Sequence, residues 1–206
     1  MSINSYSTLK SGIADFLNRS DLTSVIPTFI SLSEAKFNRT LRVRQMIKRA
    51  TATIDTQFFA MPADFLEAKS FVLNTNPLTY VEYATQDFLQ KQRQDVYITS
   101  GKPALFGVVG TQFETVPTPD TNYTGELTYY AKIESLSDTT TSNWLLAYAP
   151  DLYLYGALVQ AAPYLCDDER IAVWGQFYTA AMDDIVVADQ RASVATTPIV
   201  RARSLG

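Results

Sequence analysis

Asn143-Trp144-Leu145-Leu146-Ala147-Tyr148-Ala149-Pro150-Asp151-Leu152-Tyr153-Leu154-Tyr155-Gly156-Ala157-Leu158, continuing to Ala161-Ala162-Pro163-Tyr164-Leu165, is the stretch that decides the fold. Pro150 and Asp151 suit the first turn of a helix. Proline gives up only an N–H that has no partner there, and the aspartate meets the positive end of the helix dipole. Beyond them the helix is apolar and aromatic on every side. Gly156, Ala157, Ala161 and Ala162 leave gaps that only a closely packed neighbour can fill. Such a helix sits in the middle of a large core or is shared with another subunit. A short chain leaves little room for the first option.

Working outward, the Tyr-rich helix ends near Pro163 to Cys166. Asp167 or Asp168 then caps a long helix to about Ala192, with Ile171, Trp174, Phe177, Tyr178, Ala181, Met182 and Ile185 as its apolar stripe. Residues 193–206 have no period and no acid, and they read as a tail. On the N-terminal side, residues 5–18 form a short helix with Leu9, Ile13, Phe16 and Leu17 on one face. Asp21 reads as the N-cap of a second helix to about Met46, with Pro27 disturbing its first turns.

Between these helical regions the period changes to two. Thr51, Thr53 and Asp55 alternate with Ala52 and Ile54, as in a half-buried strand. Phe71–Leu73, Leu78–Tyr83, Leu105–Val109 and Glu126–Lys132 are further strands. Asn74–Pro77 is a hairpin turn, Thr85–Gln92 a small helix capped by Thr85, and Pro117–Asp120 a loop. The fold class is therefore α+β: a helical bundle from N- and C-terminal helices, with an inserted antiparallel sheet of four or five strands and an extended tail. The expected boundaries are 1–46, 47–132, 133–192 and 193–206.

The Tyr-rich helix, with Gly125-Glu126-Leu127-Thr128-Tyr129-Tyr130-Ala131-Lys132 before it and Asp167-Asp168-Glu169-Arg170 after it, resembles the adaptor, or head-to-tail connector, proteins of tailed bacteriophages. The likeness runs back through Gly101-Lys102-Pro103, Leu66-Glu67-Ala68 and Ser33-Glu34-Ala35-Lys36-Phe37-Asn38-Arg39, and covers residues 5–191. It implies a structural virion component, made in the host cytoplasm, that forms a dodecameric ring of its own copies beneath the portal protein. Such a ring extends the DNA channel, lets double-stranded DNA pass without sequence-specific binding, and offers a platform to tail or nozzle proteins. The resemblance also implies that residues 193–206 dock on the portal, with Ile199, Val200, Arg201, Arg203 and Leu205 as contacts.

Composition agrees with a partnered globular protein. Of 206 residues, 47% are hydrophobic and only 18% charged, and twelve Tyr and eleven Phe suit protein interfaces. A net charge of −4 argues against a nucleic-acid-binding surface as the main role. The opening residues Met1–Ser7 lack the pattern of a signal peptide, and no stretch reaches the roughly 18 apolar residues of a membrane span. The single cysteine, Cys166, reads as a small hydrophobe, and it has no partner for a disulfide within the chain.

Chemistry is sparse. The chain has no histidine, which removes triad catalysis and His-ligated metals. Gly107-Val108-Val109-Gly110 is no phosphate loop. Asp167-Asp168-Glu169 reads as helix capping rather than a Mg²⁺ or Ca²⁺ site, and Asp183-Asp184 as a solvated face. No cofactor, metal or catalytic residue is expected. Two other classes stay open: a non-phage oligomeric scaffold and a carboxylate-metal enzyme.

Charge is segregated along the chain. Lys36, Arg39, Arg42, Arg44, Lys48 and Arg49 lie in a stretch with no acid, whereas Asp151, Asp167, Asp168, Glu169, Asp183, Asp184 and Asp189 share theirs with only Arg170. Two readings stand: complementary faces within one copy, or a heterologous contact between copies that closes into a ring.

Overall fold

The computed structural model describes residues 2–95, 100–165 and 170–194. They form a mixed α+β fold with six α-helices and one seven-stranded sheet. Two compact units result, one from residues 1–45 and 133–206, the other Met46–Lys132.

The first unit is helical. Helix α1 (Tyr6–Leu17) opens on a capping box in which Ser5 and Thr8 satisfy each other's backbone N–H. It closes on Asn18 in the left-handed region, φ 52°. Leu9, Ile13 and Leu17 are buried, but Phe16 points outward and is 46% exposed, unlike the stripe expected of it.

Helix α2 (Ile26–Thr40) starts later than the sequence suggests. Asp21 does not cap it; the carboxylate instead takes both Nε and Nη2 of Arg19 in the preceding turn, at 2.7 and 2.6 Å. Pro27 occupies the first turn, where its missing N–H costs nothing. The helix also stops six residues before Met46, at Thr40. Leu41 and Val43 are buried on either side of half-buried Arg42, so the period has already become two, and a 3₁₀ turn follows at Arg44–Met46.

Helix α4 (Trp144–Tyr148) is capped by Asn143, whose Oδ1 accepts from Leu146 N–H at 2.8 Å. Helix α5 (Pro150–Leu165) carries the decisive stretch and α6 is Ile171–Val194. Helices α1, α2, α4 and α6 all pack on α5. Leu152, Tyr153, Leu154, Gly156, Ala157, Leu158, Ala161 and Ala162 are buried as a result. The all-apolar helix is thus covered within its own chain. Gly156 is where α2 comes closest: a Cβ there would lie 3.1 Å from Phe37 Cζ and 3.4 Å from Ser33 Cβ. Phe37 is fully buried, edge-on to Tyr153 at 5.2 Å. That burial contributes about 2–3 kcal/mol.

The second unit is the sheet β1 (Ile47–Ile54), β2 (Phe58–Ala60), β3 (Phe65–Leu73), β4 (Thr79–Tyr83), β5 (Leu105–Val109), β6 (Gln112–Val116) and β7 (Tyr123–Ala131), with α3 (Gln86–Asp95) after β4. The spatial order is β1-β7-β3-β4-β5-β6-β2. Pairing is antiparallel except between β4 and β5, which run parallel, so the sheet is larger than expected and not wholly antiparallel.

Strand β4 turns the sheet back on itself. Thr79–Val81 pair with β3, while Glu82 and Tyr83 pair with β5. Phe59 of β2 therefore lies 5.8 Å from Phe71 of β3, although three strands separate β2 from β3 in the order. A flat sheet would hold those strands about 19 Å apart at 4.7–4.9 Å per step. The two halves enclose an aromatic core of Phe65, Phe71, Phe106, Phe113 and Tyr129. The β5–β6 hairpin turns on Gly110 at φ 60°, a residue that supplies the positive φ a two-residue loop needs at its first position.

Candidate interaction surfaces

A buried polar network pins the chain as it re-enters the helical unit. Glu34 on α2 is 4% exposed. It accepts from Leu136 N–H at 2.8 Å and from the Tyr153 hydroxyl at 3.2 Å. Asn143 Nδ2 donates to the Tyr153 oxygen and to the Glu134 carbonyl, each at 2.7 Å. Burial pushes the Glu34 carboxyl above the usual range, only partly offset by these donors. Burial, then the nearby Glu34 charge, pushes the Tyr153 phenol up as well. Every partner is uncharged, so the network is a structural clasp.

The basic stretch divides by use. Lys36 is half-buried with Nζ 4.3 Å above the Tyr178 ring of α6. Arg42 Nη1 donates to the Asn38 and Leu41 carbonyls at the end of α2, at 3.0 and 2.6 Å. Arg44 meets Asp189 of α6 through its backbone N–H at 3.1 Å and its guanidinium at 3.6 Å. Lys48 and Arg49, in the β unit, pair with Asp64 and Glu126 at 2.7 and 3.1 Å. Each of these five groups has a partner within its own copy.

Arg39, Asp183 and Asp184 behave differently. All three are exposed and form no ion pair among the described residues. Arg39 continues an outward row on α2 with Leu32 and Ala35, and Leu32 is 48% exposed. Asp184 lies in an outward row on α6 with Val173, Phe177 and Val187, at helical spacing. Asp168 and Glu169 lie outside the described residues, as do Ile199, Val200, Arg201, Arg203 and Leu205. Among the described residues, no group of acids and cysteines could hold a metal ion, and no helix is long and apolar enough to cross a membrane.

One surface feature was not legible in the sequence. In the β unit, a groove of ≈ 480 Å³ is lined by Phe65, Leu66, Glu67, Ala68, Tyr83 and Val108. Tyr83 on its wall is more than half exposed. The groove arises where strand pairing stops, which no local pattern of residue types announces.

The fold and these surfaces describe a protein built for packing and contact. The family model for SU10 adaptor proteins matches residues 4–202, and the chain belongs to that family of phage adaptor proteins. Comparison with curated proteins gives no match.

Proposed function

We propose that this adaptor assembles as a closed ring of identical copies between the portal and the tail, where it extends the DNA channel and carries the tail components. The observation that carries this reading is the family match, which spans both compact units and not a fragment of either. The exposed rows on α2 and α6 support it. One combines Leu32 and Ala35 with a basic end at Arg39, the other Val173, Phe177 and Val187 with acids at Asp183 and Asp184. An apolar strip with opposite charge at its edge suits a heterologous contact, α6 of one copy against α2 of the next, which generates a ring when the rotation closes. A net charge of −4 suits a wall past which DNA slides without sticking.

Charge exchange tests the contact. Arg39→Glu alone, and Asp183→Arg with Asp184→Arg, should each lower the occupancy of portal particles by adaptor in electron micrographs. A chain carrying all three substitutions should recover it. Unchanged occupancy in the first two variants would place the contact elsewhere.

A further inference from the structure

Helices α2 and α6, both in the helical unit, carry outward rows of the same spacing. On α2 the row is Thr28, Leu32, Ala35 and Arg39; on α6 it is Val173, Phe177, Ala180 and Asp184. Every residue in both rows is exposed, and each row steps by four, three and four. That 3.5-residue period is the seam of two helices packed side by side at a crossing angle of about 20°. Leu32 and Phe177, about half exposed, each stand seven residues before a charge. Seven residues is about 10.5 Å along either helix. The Phe177 ring is already fixed by stacking on Tyr155 of α5, centroids 5.0 Å apart, so it is presented as a preformed anchor.

The spacing alone fits both directions, since four, three and four reads the same backwards. Charge separates them. A parallel pair with Leu32 on Phe177 sets Arg39 beside Asp184, and neither has an ion pair among the described residues. In the antiparallel pair Arg39 falls on Val173, one turn from Arg170, and Asp184 falls on Thr28, where α2 has no cation within a turn. Like charges brought together and a carboxylate left without a cation both oppose association. We propose that α6 of one copy lies parallel to α2 of the next, in the register that sets Leu32 against Phe177 and Arg39 against Asp184. Ala35 then faces Ala180, and the two small side chains let the backbones approach beside the Phe177 anchor. Asp183 stands about 100° round the helix from Asp184, so Asp184 carries the charge contact. Copies related this way meet through two different surfaces, and the contact repeats head to tail until the rotation closes. The contact rests on the reading that copies assemble in a ring; Arg39 and Asp184 set its direction and register.

Disulfide trapping with full-length chains of two lengths, in a Cys166→Ser background, tests the register. One chain carries Ala35→Cys and the other Ala180→Cys, both at exposed sites. They are mixed with portal, and separately at high concentration without it, and then oxidised. Helix axes about 8–10 Å apart bring facing Cα atoms within disulfide reach. The mixed dimer should form about tenfold faster or more than with Val187→Cys in place of Ala180→Cys, two turns further along the same face. Arg39→Glu in the first chain should remove that advantage. Asp184→Arg in the second should restore it, and Asp183→Arg should not. Trapping no faster than with Val187→Cys overturns the proposal. So does faster trapping by Thr28→Cys with Asp184→Cys, the pair that only the antiparallel arrangement brings together, and so does equal rescue by Asp183→Arg. Portal imaged from the same mixtures separates the two readings. Rings that form on portal without fast trapping sink this register and leave the ring standing. Fast trapping by chains that never decorate portal leaves the contact standing and sinks the adaptor-ring reading instead.

Discussion

The helical unit and the β unit each bury a glutamate, and they satisfy it in opposite ways. Glu34, 4% exposed, is met only by neutral donors: the Leu136 N–H and the Tyr153 hydroxyl. Glu114, 0% exposed, meets the Arg93 guanidinium at 2.9 Å and the side-chain amides of Gln57 and Gln86 at 3.0 Å each. The first carboxyl is held by neutral donors alone, and burial pushes its titration up. The second is a charged knot tying α3, the β1–β2 turn and β6 together. The contrast teaches that a buried carboxylate can be satisfied by neutral donors or by a cation, and that the choice sets what each unit loses when one partner is removed.

Both tryptophans, Trp144 and Trp174, belong to the helical unit, so their fluorescence reports that unit alone, while far-UV circular dichroism also follows the sheet. The largest effect is expected from Arg93→Ala. It leaves the Glu114 charge buried without its cation and should destabilise the β unit by about 3 kcal/mol or more, with tryptophan emission little changed. Adding Glu114→Gln should restore most of that loss. A cost below 1 kcal/mol in urea unfolding would show that the two glutamines suffice and that the knot is not ionic.

Next comes Gly156→Leu in the helical unit. Its side chain would run into Phe37, already 3.1 Å from the first added carbon, and overpacking of this kind costs about 1–3 kcal/mol. Tryptophan-monitored unfolding should show it, with the sheet transition unmoved. An unchanged transition would mean that α2 and α5 separate without cost.

Tyr153→Phe should cost about 1–2 kcal/mol, since it strips a donor from Glu34 and leaves Asn143 Nδ2 with one acceptor fewer. The same probe reads it.

The smallest effect is on pH dependence. Because the Glu34 carboxyl titrates above its usual 4.5, the folded state holds a proton over a pH range where the unfolded chain has lost it. Stability of the helical unit should therefore rise as pH falls from neutral towards 4.5, and Glu34→Gln should flatten that slope. A slope identical in both proteins would assign the titration to another group.

Much of the scaffold is legible in the sequence for local reasons. The Leu105–Val109 strand announces itself as a short apolar run, most of β7 by alternation, and α1 by its apolar spacing. What escaped was non-local. Strand β6, Gln112–Val116, hides behind Glu114 and Thr115, two polar residues that are buried only because α3 and the β1–β2 turn supply their partners. Strand β2 is three residues long and exists through its pairing with β6. Asp21 looks like a cap, but Arg19 two residues earlier competes for it and wins. The segregation of charge is visible in the sequence; which charges are spent within the copy is not. Arg44 reaches Asp189 across 145 residues, a contact that spacing cannot reveal.

The most direct test of the adaptor reading is to image the purified protein by electron microscopy with and without purified portal, alongside sedimentation of the protein alone. The account predicts a monomer or weak associate at micromolar concentration, and a closed ring seated on one end of the portal when the two are mixed. A portal that stays bare at saturating adaptor would contradict it.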